Sequence, residues 1–348
     1  MPRVVQKPED FVIIGENIHT TRSVRRDGAR VVTLDDGTEA VTYKNERGEP
    51  SHLTIPDSFK QSQPYQQGQV KHFMIAARKG IGTDPAEQEQ GRAYIRAEAL
   101  RQIAAGASFL DLNADEISYK LEIQIKAMQW MVGVTQQVSS VPLSIDSSNQ
   151  DIIAAGLAAY DGRAGRPMIN SVALERLDTI DLVKKYNARA IVTAAGESGM
   201  PSDDEERVAN VSRLIEEMRK RDVPLGDIYV DGLVFPISVA ADYGNHYFDA
   251  VKELRKRFGA ELHITGGLSN VSFGLPNRKL VNDVFIYLSL EAGIDSGIID
   301  PVQSSIGRIL EMGLDAEPER LAADMLLGKD EYCVNYIKAW KEGRLTSS

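Results

Sequence analysis

Residues able to do chemistry recur in this chain just after short apolar runs. Asp111-Leu112-Asn113 closes one run and Asp146 a second, with Asn149 three residues on. Asn170 and Asp231 close two more, and Gly267-Leu268-Ser269-Asn270 follows a fifth. An isolated Asp in such a place is ordinarily a turn or cap residue. Five such ends together point to a shared polar pocket, since neither Asp nor Asn favours a strand interior. Cations are few in the set, so phosphate is not its main ligand. Carboxylates and carboxamides supply acceptors and amide donors suited to a flat, neutral, amide-like heterocycle. Clustered carboxylates can also bind a metal ion, but none of the five ends carries a histidine and no metal is expected.

The elements that must position these residues alternate regularly. Apolar runs at 11–15, 108–113, 141–146, 167–170, 188–193, 228–231, 261–265 and 296–299 read as strands. Amphipathic stretches at 85–105, 119–138, 150–159, 177–186, 203–221, 243–258 and 279–292 read as the helices between them. Thr83-Asp84-Pro85 and Ser202-Asp203-Asp204-Glu205 are helix starts, and Gly106 and Gly259 are stops. This pattern predicts the α/β class and a (β/α)8 TIM barrel, whose active site gathers at the C-terminal ends of the strands. The rival is a doubly wound open sheet, and the Gly-x-Gly-x-x-Gly fingerprint of its dinucleotide-binding version is missing.

Residues 22–72 break the rhythm. Asp35-Asp36-Gly37 and Asn45-Glu46-Arg47-Gly48 lie between short β-rich runs and predict hairpins. The segment reads as a β-rich insertion after the first strand, on the catalytic rim, as a lid, a docking surface or a decorative loop. The expected organisation is a barrel over 1–317 containing this insertion, then a helical extension over 318–348 with a polar tail.

Across the 348 residues, 43% are hydrophobic and 26% charged, the composition of an ordinary globular protein. A net charge of −10 argues against a nucleic-acid-binding surface. Cys333 is the single cysteine, so no intrachain disulfide or thiolate cluster can form, and it reads as a small buried hydrophobe. Met1–Asp10 lacks the apolar core of a signal peptide, and no run approaches the roughly 20 apolar residues of a membrane span. A cytoplasmic location without membrane contact is expected.

Taken together, the pieces Ile13-Ile14-Gly15-Glu16-Asn17-Ile18, Asp111-Leu112-Asn113, Ile145-Asp146-Ser147-Ser148-Asn149, Met168-Ile169-Asn170-Ser171, Tyr229-Val230-Asp231 and Gly267-Leu268-Ser269-Asn270-Val271-Ser272, with Asn277-Arg278 after them, resemble the pterin-binding methyltransferases. These include the methyltetrahydrofolate–corrinoid protein methyltransferases and the folate domain of cobalamin-dependent methionine synthase, and they share a barrel with dihydropteroate synthase. The resemblance implies that a methyl group moves between N5 of a tetrahydrofolate-type pterin and the cobalt of a corrinoid (cobalamin) on a partner protein. Tetrahydrofolate and 5-methyltetrahydrofolate would be the substrates. It makes Asp146, Asn170 and Asp231 ligands of the pterin edge, Asn270 the catalytic residue beside N5, and Arg278 a neighbour of that site. Asp111, Asn113, Asn149, Glu16, Gly267 and Ser269 are further candidates for pterin binding, and a homodimer is implied. The chemistry agrees: a carboxylate can accept from both N3 and the exocyclic amine of a pterin, and a departing N5 gains from an amide donor.

The chain departs from the acetogen-type start motif, which has Arg then Asn where Asn17 and His19 stand. Phe273 follows the Asn270 loop as in the methionine synthase type. A dihydropteroate synthase-like enzyme is one alternative, although a late Ser-x-Lys or Ser-Arg-Lys motif is replaced by Leu268-Ser269-Asn270. A non-catalytic pterin-binding or corrinoid-docking subunit is the other. His19 is placed on the first loop, His246 at a helix opening and His263 inside a strand.

Overall fold

The computed structural model describes residues 3–345; the first two residues of the Met1–Asp10 stretch and the Thr346–Ser348 end of the polar tail lie outside them. Eight strands belong to one sheet: β1 (Val12–His19), β2 (Phe109–Asn113), β3 (Leu143–Asp146), β4 (Met168–Val172), β5 (Arg189–Thr193), β6 (Ile228–Asp231), β7 (His263–Thr265) and β8 (Ser296–Ile299). Their order is β7-β6-β5-β4-β3-β2-β1-β8, and a parallel bridge between Gly267 and Ile298 joins the end strands. This is an α/β fold with a near-closed parallel barrel. Strand neighbours in space are strand neighbours in sequence, unlike the reversing order of a doubly wound sheet. Helices Pro85–Ala104, Leu121–Thr135, Gln150–Ala159, Thr179–Lys185, Asp204–Lys220, Tyr243–Phe258 and Arg278–Ala292 occupy the expected stretches to within a few residues.

By internal packing the chain divides into two compact units, Gly15–Asn170 and Met1–Ile14 with Ser171–Ser348. Within the first, register places Asn113 opposite Asp146 and Asp146 opposite Asn170. In the second, Thr193 lies opposite Asp231 and Asp231 opposite Thr265. The strand interiors are apolar and buried, with Ile145, Ile169, Val192, Val230 and Ile264 all fully covered. Asp84 caps the helix Pro85–Ala104 by accepting from the N–H groups of Ala86 and Glu87, and Asp203 caps the helix Asp204–Lys220 through Glu206.

Two expectations need correction. β1 continues to His19 instead of ending at Gly15. Gly15, the last residue of the expected strand, lies inside β1 at a close approach, where a Cβ would lie 2.4 Å from Gln102 Oε1. The segment 22–72 does form hairpins, an antiparallel sheet of Val31–Thr33, Glu39–Lys44 and Pro50–Thr54. That sheet packs against the helix Pro85–Ala104. Tyr43 meets Tyr94 edge-on at 4.8 Å, Arg30 donates to the Tyr94 hydroxyl at 2.7 Å, and Thr54 Oγ1 donates to Gln90 at 2.9 Å. The second correction is the helix His72–Gly80, which has no counterpart among the sequence-based helices and is buried along nearly all its length. It crosses the next helix so closely that a Cβ on Gly91 would lie 2.3 Å from the Ala76 carbonyl oxygen.

Toward the C-terminus, helices Glu317–Leu326 and Val334–Lys341 follow β8 and a short helix. Cys333 is free and buried. None of the described helices is long and apolar enough to cross a membrane.

Candidate functional site

In the unit Gly15–Asn170, the polar ends of β1 to β4 form one hydrogen-bonded cluster. Strand alternation puts Asp111 and Asn113 on one face of β2. Asp111 is fully buried, and its carboxylate accepts from His19 Nε2 at 2.7 Å and, more loosely, from Asn170 Nδ2 at 3.4 Å. Asn113 Nδ2 donates to Asp146 at 2.9 Å, while its oxygen accepts from the Asp115 N–H. His19 also stands 3.9 Å from Asp146. Asp115 fixes the loop after β3 by accepting from Ser147 Oγ, Ser148 Oγ and the Ser148 N–H.

Burial and then the charge of Asp111 push the Asp146 carboxyl up to about 7, against the pull of His19 and the Asn113 hydrogen bond. Burial would lower the His19 imidazolium, but the hydrogen bond to Asp111 and the charges of Asp111 and Asp146 outweigh it, so His19 is held above its ordinary value. The cluster therefore brings two carboxylates and an imidazole into one buried site. His19, Asp111 and Asp146 also offer one ligand atom each within 4.8 Å of one another, a set that could hold a metal ion. His19 is not at one of the five strand ends read from the sequence; it joins them because β1 runs on past Gly15. The atoms in question already serve the His19–Asp111 and Asn113–Asp146 hydrogen bonds.

Two further candidates in this unit have local duties. Asn149 is the N-cap of the helix Gln150–Ala159 and accepts from the Asp151 N–H at 2.8 Å. Glu16 is buried in β1 and pairs with Arg22, which also donates to the Glu16 carbonyl.

In the second unit, Gly267 leads into the short helix Leu268–Ser272, which carries Ser269 and Asn270. Gly267 is a glycine for a local reason: a Cβ would lie 2.8 Å from Asn270 Nδ2. Arg278 braces this turn, donating from Nη2 to the Ser269 carbonyl and from Nε to Ser272 Oγ, both at 2.9 Å, and its guanidinium lies 4.6 Å from the Phe273 ring centre. Asp231 ends β6 and accepts from the Leu233 N–H at 2.8 Å. Burial pushes its carboxyl up to about 6, against the Leu233 hydrogen bond and the charge of Arg207.

A family model described as "Pterin binding enzyme" matches residues 86–300, more than half of the chain. The chain belongs to the pterin-binding enzyme family. It is 30% identical over 269 residues to the methylcorrinoid:tetrahydrofolate methyltransferase of Eubacterium limosum, a match covering 75% of this chain and 92% of that protein. It is also 32% identical over 240 residues to the methionine synthase of Mycobacterium leprae (strain TN), which takes in 65% of this chain but only 19% of that protein. Among solved structures, a dihydropteroate synthase from Xanthomonas albilineans in complex with indole-2-carboxylic acid and 6-chloroguanine shares the fold. It has a TM-score of 0.50 at 16% identity, covering 66% of this chain and 86% of that one. The family match begins after β1 and the antiparallel sheet.

His246 and His263 have structural partners. His246 lies 3.0 Å from Asp204, and His263 lies 2.8 Å from Asp295 while stacking on Tyr229 at 4.3 Å. The role of His19 as partner to two carboxylates escaped the sequence reading because β1 appeared to stop at Gly15. Arg207 was missed as well, and nothing in its local sequence marks it.

Proposed function

We propose that this chain is a methyltransferase that moves a methyl group between N5 of a tetrahydrofolate-type pterin and the cobalt of a corrinoid carried by a separate protein. The observation that carries this reading is the likeness, over 92% of its length, to a relative whose name states both methyl carriers. Asp146, Asn170 and Asp231 take the hydrogen-bonding edge of the pterin, with Asp111 and Asn113 holding the first two in place. Asn149 and Glu16 support the loops beside them. Asn270 donates its amide to N5, a bond that strengthens as charge builds there, and Gly267, Ser269 and Arg278 keep that amide in position. An amide cannot supply a proton, so water delivers the one N5 needs. The corrinoid supplies the metal that accepts or gives the methyl group.

The same reading takes the barrel as residues 1–317, the stretch 318–348 as a helical extension, a homodimer as the assembly and the cytoplasm as the location. Calorimetric titration with tetrahydrofolate, 5-methyltetrahydrofolate and an unrelated nucleotide tests the pterin half. Saturable binding of the folates alone, near one per chain, is the expected result, and absence of folate binding refutes it. Loss of the methylcobalamin absorbance on adding chain and tetrahydrofolate tests the corrinoid half.

A further inference from the structure

Arg207 is a fully buried side chain on the helix Asp204–Lys220. Its hydrogen bonds go to main-chain carbonyls: Nη1 to Asp203 at 2.7 Å, Nε to Gly232 at 3.0 Å and Nη2 to Leu233 at a long 3.5 Å. The guanidinium lies 4.9 Å from the Phe235 ring centre. Burying an arginine is costly, and burial lowers its pKa despite the partly offsetting charges of Asp203, Asp204 and Asp231. Helix–strand packing alone would not require a charge here.

The two carbonyls at Gly232 and Leu233 belong to an unusual turn. Leu233 has a φ of 59°, the left-handed region that a branched side chain enters only at a cost. The peptide between Gly232 and Leu233 turns its carbonyl to Arg207 and, on the opposite side, its N–H to Asp231 Oδ1, 2.8 Å away, closing an Asx turn. Gly232 has no room for a side chain, since a Cβ would lie 2.9 Å from the Tyr247 ring. The turn is thus strained at one residue, pressed at its neighbour and tied by one cation.

We propose that Arg207 is a positioning residue for pterin binding: by holding the carbonyls of Gly232 and Leu233 it keeps Leu233 in its left-handed conformation, and so fixes the Asp231 carboxylate in the orientation that receives the pterin. This inference rests on the reading of Asp231 as a pterin ligand. Arg207 touches no reacting atom and acts only through the turn.

The logic predicts a rescue. Arg207→Gln should weaken 5-methyltetrahydrofolate binding roughly tenfold, the scale of one lost hydrogen bond to a charged group. Leu233→Gly alone should bind nearly as the parent does, because glycine reaches positive φ without a Cβ penalty. Combined with Arg207→Gln, it should restore most of the affinity, because the turn then needs no clamp. Calorimetric titration of the full chain measures all three, beside Asp231→Asn as a reference, with thermal melting to establish folding. If Arg207→Gln does not fold, Arg207→Lys, which keeps the charge but not the fork, takes its place with and without Leu233→Gly.

Recovery in the double variant supports the proposal. Weakened binding without recovery overturns it, since Arg207 would then act by another route. Unchanged binding in folded Arg207→Gln or Arg207→Lys, with Asp231→Asn weakened, also overturns it. Unchanged binding in Asp231→Asn itself removes Asp231 from the site and so overturns the underlying reading instead.

Discussion

Asn270 stands over Gly267, with so little space between them that a Cβ on Gly267 would lie 2.8 Å from the Asn270 amide nitrogen. The φ of Gly267 is −72°, open to any residue, so the need for glycine comes from the neighbouring amide and not from the backbone. Arg278 holds the same turn through Ser269 and Ser272.

Gly267→Ala should therefore leave the melting temperature close to that of the parent while displacing the Asn270 amide. Turnover should fall toward that of Asn270→Ala, for which a loss of about 10²-fold is expected from a donor acting in the transition state. Single-turnover methyl transfer to a corrinoid measures this beside pterin affinity, which should change little. Collapse of binding with intact chemistry would assign Asn270 to binding alone.

Asp231→Asn should weaken pterin binding by about 1–3 kcal/mol, the range for a lost charge-assisted hydrogen bond. The carboxylate already accepts from the Leu233 N–H, so its second oxygen is the one offered to ligand. A dissociation constant equal to that of the parent would take Asp231 out of the pocket.

The ligand-free protein should lose stability as pH rises from about 4 to about 7. Asp146 is raised from 3.8 to about 7 and Asp231 to about 6, so across that window the folded chain binds more protons than the unfolded one, and unfolding becomes easier as pH climbs. His19, also raised, acts in the same direction: its contribution is full below 6.5 and fades as pH passes its folded value. Thermal melting across this range should show the decline, and Asp146→Asn should flatten it. A wild-type slope unchanged by that substitution would mean that Asp146 is not the titrating group.

Tyr94→Phe should destabilise the chain by about 1–3 kcal/mol, because two polar partners lose their common hydroxyl in a buried place. Tyr94 lies 2.7 Å from His72 Nδ1 and accepts from Arg30 at the same distance, linking the helix His72–Gly80, the hairpin sheet and the helix Pro85–Ala104. Urea denaturation measures the change. Full stability would show that apolar packing alone holds the hairpin sheet to that helix.

Much of this architecture is local and was legible. Asp35-Asp36-Gly37 and Asn45-Glu46-Arg47-Gly48 carry turn chemistry, and hairpins form at both. Asp84 and Asp203 announce helices that they do cap. The same local rules mislead where a residue answers to a distant neighbour. The first strand reads as ending at Gly15 because that residue's contact, Gln102, is on another element.

By itself, then, the sequence determined the strand and helix alternation, the polar residues at five strand ends and the family, since all of these follow from near-neighbour periodicity and short motifs. Only the tertiary structure decided which of those polar groups bond to one another and which brace a turn. His19 and Asp111 are 92 positions apart and meet at 2.7 Å, and Arg207 reaches across to the turn after β6. Such pairings depend on how strands register and helices cross, and in a chain of this length that is settled by packing of the whole core and not by the residues on either side.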